Sequence, residues 1–201
     1  MPAANTVDGA NASIMHTVSR ILNNLRFVFM LFQMCIRDRE YTVEVSNYKI
    51  EVLAPCEEEY EDINNYSIVV KITIGEKRFL FCGDAEALSE EQMVARFDVS
   101  ADVLKVGHHG SVTSTSEAFL EAVSPQYAVI FCGKDNSYGH PHQQTLDQLA
   151  ARDITVYRTD LNGTIVMTTD GQNIDVVVQY QEGERENSLD DGEDRDAAAA
   201  A

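Results

Sequence analysis

Three times along this chain a short run of aliphatic, β-branched or aromatic residues ends on glycine and is followed by an acid or by histidines. Phe79-Leu-Phe-Cys-Gly83 leads to Asp84, Val103-Leu-Lys-Val-Gly107 to His108 and His109, and Val129-Ile-Phe-Cys-Gly133 to a loop holding Tyr138, His140 and His142. Such runs read as buried strands, and a glycine at the exit lets the backbone turn with no Cβ in the way. Between them residues 85–97, 116–123 and 143–151 carry a helical period, with apolar stripes on Leu88, Met93, Val94 and Phe97 in the first and Leu146, Leu149 and Ala150 in the third. Alternating strands and helices make this an α/β chain, in which ligands bind where strand carboxyl ends open into loops.

The flanking segments predict antiparallel ends on that sheet. Residues 41–45 and 48–53 alternate around Ser46-Asn47, and residues 67–74 and 78–82 flank a turn at 75–77, so two hairpins are expected. An acidic, turn-rich loop covers 56–65. Residues 154–158, 164–168 and 174–180 read as strands joined by tight turns at 161–163 and 170–173.

Four of the five histidines lie between His108 and His142. Neutral imidazole is the commonest metal ligand, and a carboxylate beside it suits zinc, manganese or iron. The pattern therefore points to a metal site on one sheet edge, built from Asp84, His140 and one or both of His108 and His109. Each residue also has a plainer reading. Asp84 suits the cap of a helix starting at 85, and His108 and His109 precede a Ser/Thr-rich helix start. His140 before Pro141 suits a turn and His142 an exposed position, while Cys82 and Cys132 suit strand packing better than thiolate ligation. Asn64-Asn65 reads first as a turn. The repetition at three strand ends carries the metal reading. The chain holds no G-x-S-x-G, no G-x-x-x-x-G-K-[ST], no G-x-G-x-x-G and no H-E-x-x-H, so a serine hydrolase elbow, a P-loop, a dinucleotide fold and a zincin lack their markers.

Charge narrows the partners. With 15 Lys and Arg against 33 Asp and Glu, for a net −18, the chain has no broad basic face to grip nucleic acid, and a polyanionic substrate needs a metal or a local basic spot. Residues 181–201 concentrate acids, end in alanines and read as a disordered tail. The four cysteines form no C-x-x-C pair and read as free thiols. The most apolar stretch, residues 25–36, is too short to cross a bilayer, and no signal peptide is recognised.

Taken as a set, Asn64-Asn-Tyr-Ser67, the run from Phe79 to Glu86, Leu104-Lys-Val-Gly-His-His-Gly-Ser111, Tyr138-Gly-His-Pro141, and Tyr157-Arg-Thr-Asp160 with Gly163-Thr-Ile165 resemble the metallo-β-lactamase-like domain of ComEC-type competence proteins and their stand-alone relatives. The likeness runs over residues 41–180. It implies an αββα sandwich, incomplete here at its N-terminus, with two metal ions, zinc or else manganese. It implies Asp84 as the carboxylate bridging the metals and His140 as the late histidine ligand, with Asp84, His108 and His109 catalytic. Ser111, Asn65 and Tyr138 become substrate-binding. The implied substrate is a phosphodiester, as in single-stranded nucleic acid during DNA uptake, or a small molecule; lactone or thioester hydrolysis and a non-catalytic binding module are the alternatives. A membrane-embedded parent protein would put the domain outside the cytoplasm.

One departure matters. Such domains also use an upstream H-x-H-x-D-H, and the only earlier histidine here is His16. Structural zinc takes four protein ligands, so this chain alone is expected to hold zinc weakly and to hydrolyse little. Residues 1–39 match neither the opening strands nor their spacing, and Met34-Cys-Ile-Arg-Asp-Arg39 resembles translated sequencing-adapter sequence. The expected division is an atypical segment over 1–39, either foreign or a divergent N-terminal helix, a partial domain over 40–180 that leaves an apolar sheet edge uncovered, and the tail.

Overall fold

The computed structural model describes residues 41–45 and 48–181. The segment 1–39 and the tail beyond Gln181 lie outside the described residues. The chain divides after Arg39, and the architecture below is that of the second unit.

Seven strands form one mixed sheet in sequence order. β1 (Tyr41–Val45), β2 (Tyr48–Ala54), β3 (Val69–Ile74) and β4 (Lys77–Phe81) are an antiparallel meander, as the two predicted hairpins require. β5 (Val103–Lys105), β6 (Tyr127–Ile130) and β7 (Thr155–Arg158) then add in parallel, each reached through a helix: α1 (Ala87–Arg96), α2 (Glu117–Val123) and α3 (Gln143–Ala150). Parallel strands buried on both faces are built from continuous apolar runs, which is how β4 to β6 read. Leu80, Leu104 and Ala128 are registered side by side and fully buried, and Met93, Phe119, Leu120, Val123 and Leu149 of the helices join them in one core. No helix among the described residues is long and apolar enough to cross a membrane.

Two details differ from the sequence reading. Residues 158–165 do not make a hairpin turn. Asn162 Oδ1 accepts from the Arg158 amide at 2.9 Å and Thr159 O from the Gly163 amide at 3.1 Å, closing a helical turn, α4 (Thr159–Asn162). β8 (Ile165–Thr169) therefore pairs only with β9 (Ile174–Val178), as a separate ribbon. The ribbon's tip meets the β3–β4 turn, where Glu76 donates its amide to Gly171 O at 2.7 Å. Gly75 sits there at φ +59, and a Cβ on it would lie 2.8 Å from the Gly171 backbone, so only glycine fits.

The helix faces differ as well. Leu88 and Val94 are exposed, and α1 turns Ser89 and Glu90 inward in their place, while Met93 is buried and Phe97 packs against the core as the stripe predicts. On α3 the buried pair is Thr145 and Leu149, with Leu146 partly covered and Ala150 exposed. The reason on α1 is polar. Glu90 accepts the amides of Thr115 and Ser116 at 2.5 and 2.9 Å, tying the helix to the loop before α2, where Thr115 adopts φ 58. A core carboxylate is tolerated because it is hydrogen-bonded.

Burial pushes the Glu90 carboxyl upward against the opposing pull of its amide donors. With the folded value above the unfolded one, the unfolded chain ionises first as pH rises, and folding stability contributed at this site falls. The gap in unfolding free energy between the parent protein and Glu90→Gln is therefore expected to narrow as pH rises from about 4 through the ordinary glutamate range near 4.3 toward 7. Denaturant titrations at several pH values measure it, and a gap that widens with pH contradicts it.

Candidate active site

The parallel register sets the strand exits beside one another: Phe81 faces Lys105, and Lys105 faces Val129. The loops that follow carry Asp84, the His108–His109 pair and the His140 loop onto one edge. A tight turn, Gly107–Gly110, presents both histidines in the left-handed region, at φ 42 and φ 56. Two such non-glycine residues in succession cost about 1–3 kcal/mol each and persist only where the surroundings enforce them. The turn is clamped from outside: Gly110 O accepts the His142 amide at 3.0 Å, and a Cβ on Gly110, at φ +83, would lie 2.6 Å from Pro141 Cβ.

Three imidazoles meet as a result. The His140 ring centroid lies 5.6 Å from that of His108 and 6.3 Å from that of His109, and the His108 and His109 rings are 6.3 Å apart. Asp84 Oδ1 stands 3.5 Å from His109 Nε2, while His109 Nδ1 lies 2.6 Å from Phe131 O. A carbonyl only accepts, so that Nδ1 carries hydrogen and Nε2 faces the carboxylate. Burial holds the His140 ring below the usual imidazole range, helped by the nearby rings of His142, His108 and His109. The half-buried Lys105 donates to Gly83 O at 2.9 Å, and burial lowers its ammonium against the opposing charge of Asp84.

The remaining predicted residues take distinct places. Tyr138 is 78% exposed and stacks on His140, with ring centroids 5.8 Å apart. Asn65 is buried, and its Oδ1 accepts the amides of Glu86 and Ser89 at 3.2 and 3.3 Å, so it covers the start of α1. That cap belongs to Asn65 and not to Asp84, because α1 begins at Ala87 and Asp84 lies before its N-cap position. Ser111 is buried beneath the histidine turn, its amide on His108 O at 2.9 Å and its hydroxyl 3.1 Å from that of Thr113. His142 is half-buried, where the sequence predicts exposure, because its Nδ1 accepts the Val112 amide at 3.2 Å. Cys82 is enclosed in the core, and Cys132 turns its thiol to Asp160 Oδ1 at 3.0 Å.

Two groups escape the sequence reading. Glu86 accepts from His108, Thr113 and Asn64; it stands within the Phe79–Glu86 run, where a helix start hides its role. Asp160, paired with Arg158 at 2.6 and 3.0 Å, walls a cleft of about 360 Å³ with Lys134, Asn136, Gly139, His140 and Leu161. Its signal is present in Tyr157-Arg-Thr-Asp160.

A metal centre is not assembled by these side chains alone. Asp84 and His109 meet as a pair, and His140 lies beside them, but no group of three or more His, Cys, Asp or Glu among the described residues is placed to hold an ion. The donor set present does not fit a zinc site, which needs three protein ligands even when catalytic.

The contact between the two histidine loops makes Gly110 the most sensitive backbone position of the site. Gly110→Ala is expected to lower unfolding free energy by about 1–3 kcal/mol, through the positive φ and the collision with Pro141. Denaturant unfolding reads this, and an unchanged midpoint contradicts the geometry.

Residues 49–134 match the metallo-beta-lactamase superfamily. The chain is 40% identical to ComE operon protein 3 of Bacillus subtilis over 124 residues, which are 61% of this chain and 16% of that protein. It is 39% identical to competence protein ComA of Neisseria gonorrhoeae over 117 residues, 57% of this chain and 17% of that one. Recombination protein 2 of Haemophilus influenzae is 37% identical over 115 residues, 57% of this chain and 14% of that one. The chain thus spans under a fifth of the length of these relatives. Residues 49–134 thus resemble the metallo-beta-lactamase superfamily, and more than half of the chain is similar in sequence to part of these competence and recombination proteins.

Proposed function

We propose that this domain is a hydrolase of phosphodiesters, acting on nucleic acid as part of DNA uptake, and that it becomes metal-dependent once the ligands absent from the described residues are supplied. The observation that carries this reading is the convergence of Asp84, His108, His109 and His140 at successive strand exits of a parallel sheet. The names of the competence relatives support the biological setting. In this reading His108, with its Nδ1 on a carboxylate, holds Nε2 free to take or return a proton. Tyr138, exposed and stacked on His140, offers a face for a base or sugar. In a completed site a zinc pair would be the cofactor, to which this chain would contribute Asp84 and His140 as ligands. A membrane-embedded parent would place the domain outside the cytoplasm.

A second reading, a binding module without turnover, is favoured by the lack of a three-ligand group among the described residues. Assays with zinc or manganese on a bis-aryl phosphodiester, a single-stranded oligonucleotide, a lactone and a thioester separate the readings. The chain alone is expected to lose zinc to a mild chelator and to turn over slowly. A version carrying an upstream H-x-H-x-D-H is expected to cleave the phosphodiesters, with His108→Ala lowering the rate by about 100-fold or more and Asp84→Ala abolishing it. Stoichiometric zinc retained by the chain alone, or an Asp84→Ala variant as active as its parent, contradicts the proposal; binding without cleavage by the restored version establishes the module.

A further inference from the structure

Glu86 sits where three segments cross. Its Oε1 lies 3.1 Å from His108 Nδ1 and accepts from Thr113 Oγ1 at 2.8 Å and from Asn64 Nδ2 at 3.1 Å. Its own amide is held by Asn65 Oδ1 at 3.2 Å, and it occupies the N-cap position of α1 without capping it through its side chain. Backbone and side chain are thereby fixed together, in a place only 15% exposed, against a His108 side chain 24% exposed.

A carboxylate has no hydrogen to give, so the ring nitrogen beside it carries one. We infer that Glu86 is a positioning residue of the site, one that locks His108 in the Nδ1–H tautomer and aims its bare Nε2 into the space shared with His140 and His109. Thr113 reinforces the lock, since its hydroxyl is 3.4 Å from the same Nδ1 while donating to the same Oε1. His109 is oriented by different acceptors, its Nδ1 on the Phe131 carbonyl at 2.6 Å and its Nε2 facing the Asp84 carboxylate at 3.5 Å. The two adjacent histidines are thus each oriented from a different side. This inference rests on the hydrolase reading for its consequence, not for its geometry.

Long-range proton–nitrogen correlation spectra of the ¹⁵N-labelled full chain test it, recorded near pH 8.5, about two units above the ordinary histidine value. His108 is expected to show a protonated Nδ1 and a bare Nε2. Glu86→Ala is expected to release it to a mixture or to the opposite tautomer, while Glu86→Gln, whose amide oxygen still accepts, retains it; amide spectra confirm that each variant is folded. In the version with restored activity, Glu86→Ala should lower kcat by about 10–100-fold, the usual effect of losing a carboxylate behind a working histidine, with KM little changed and Glu86→Gln recovering most of the rate. An Nε2–H tautomer in the parent protein overturns the inference whatever the activity. The expected tautomers without turnover in any version leave Glu86 as the orienting residue and remove the hydrolase reading instead.

Discussion

The parallel register from β4 to β6 is the constraint on which the rest of the domain depends. Pairing Phe81 with Lys105 and Lys105 with Val129 brings residues distant in sequence to one edge of the sheet. Registered Leu80, Leu104 and Ala128 are buried in the core beneath the helices, and burial of each leucine side chain contributes about 1.5–3 kcal/mol. A slip of one residue would move that row to the other face. The energetics of the core and the placement of the site therefore share one origin.

A second layer of order is polar. Asn65 holds the start of α1, Glu86 ties that start to His108 and Thr113, and Glu90, one turn on, holds the loop that leads into α2. Buried polar groups of this kind cost stability unless every one is partnered. Glu86 of this network reaches the turn in which His108 and His109 adopt left-handed conformations. The strained turn is stable because the network and the contact of Gly110 with Pro141 leave it no roomier alternative.

The strands were legible in the sequence because their signal is local: an apolar run, a glycine and a polar residue repeated three times. The antiparallel pairing of β1 with β2 and of β3 with β4, and the helices between the parallel strands, were legible for the same reason. What was not legible depends on contacts from elsewhere in the chain. The inward face of α1 carries Glu90 because a loop some 25 residues away requires an acceptor, and no periodicity in the helix reveals that. Glu86 reads as a helix start until His108 is brought to it across the sheet. The α4 turn reads as a hairpin, since the hydrogen bonds between Thr159 and Cys132 that redirect the chain span 27 residues. Asp84, His108, His109 and His140 were recognisable as a set, but their ring and carboxylate distances belong to the fold.

Asp84, His108, His109 and His140 are proposed to form one phosphodiester-facing site. Histidine ring resonances of the full chain, followed while a hydrolysis-resistant phosphorothioate dinucleotide is added, test it without requiring turnover. The rings of His108, His109 and His140 are expected to shift together along a single saturating curve, which Asp84→Ala is expected to weaken. Saturable binding that leaves these three rings unmoved would contradict it.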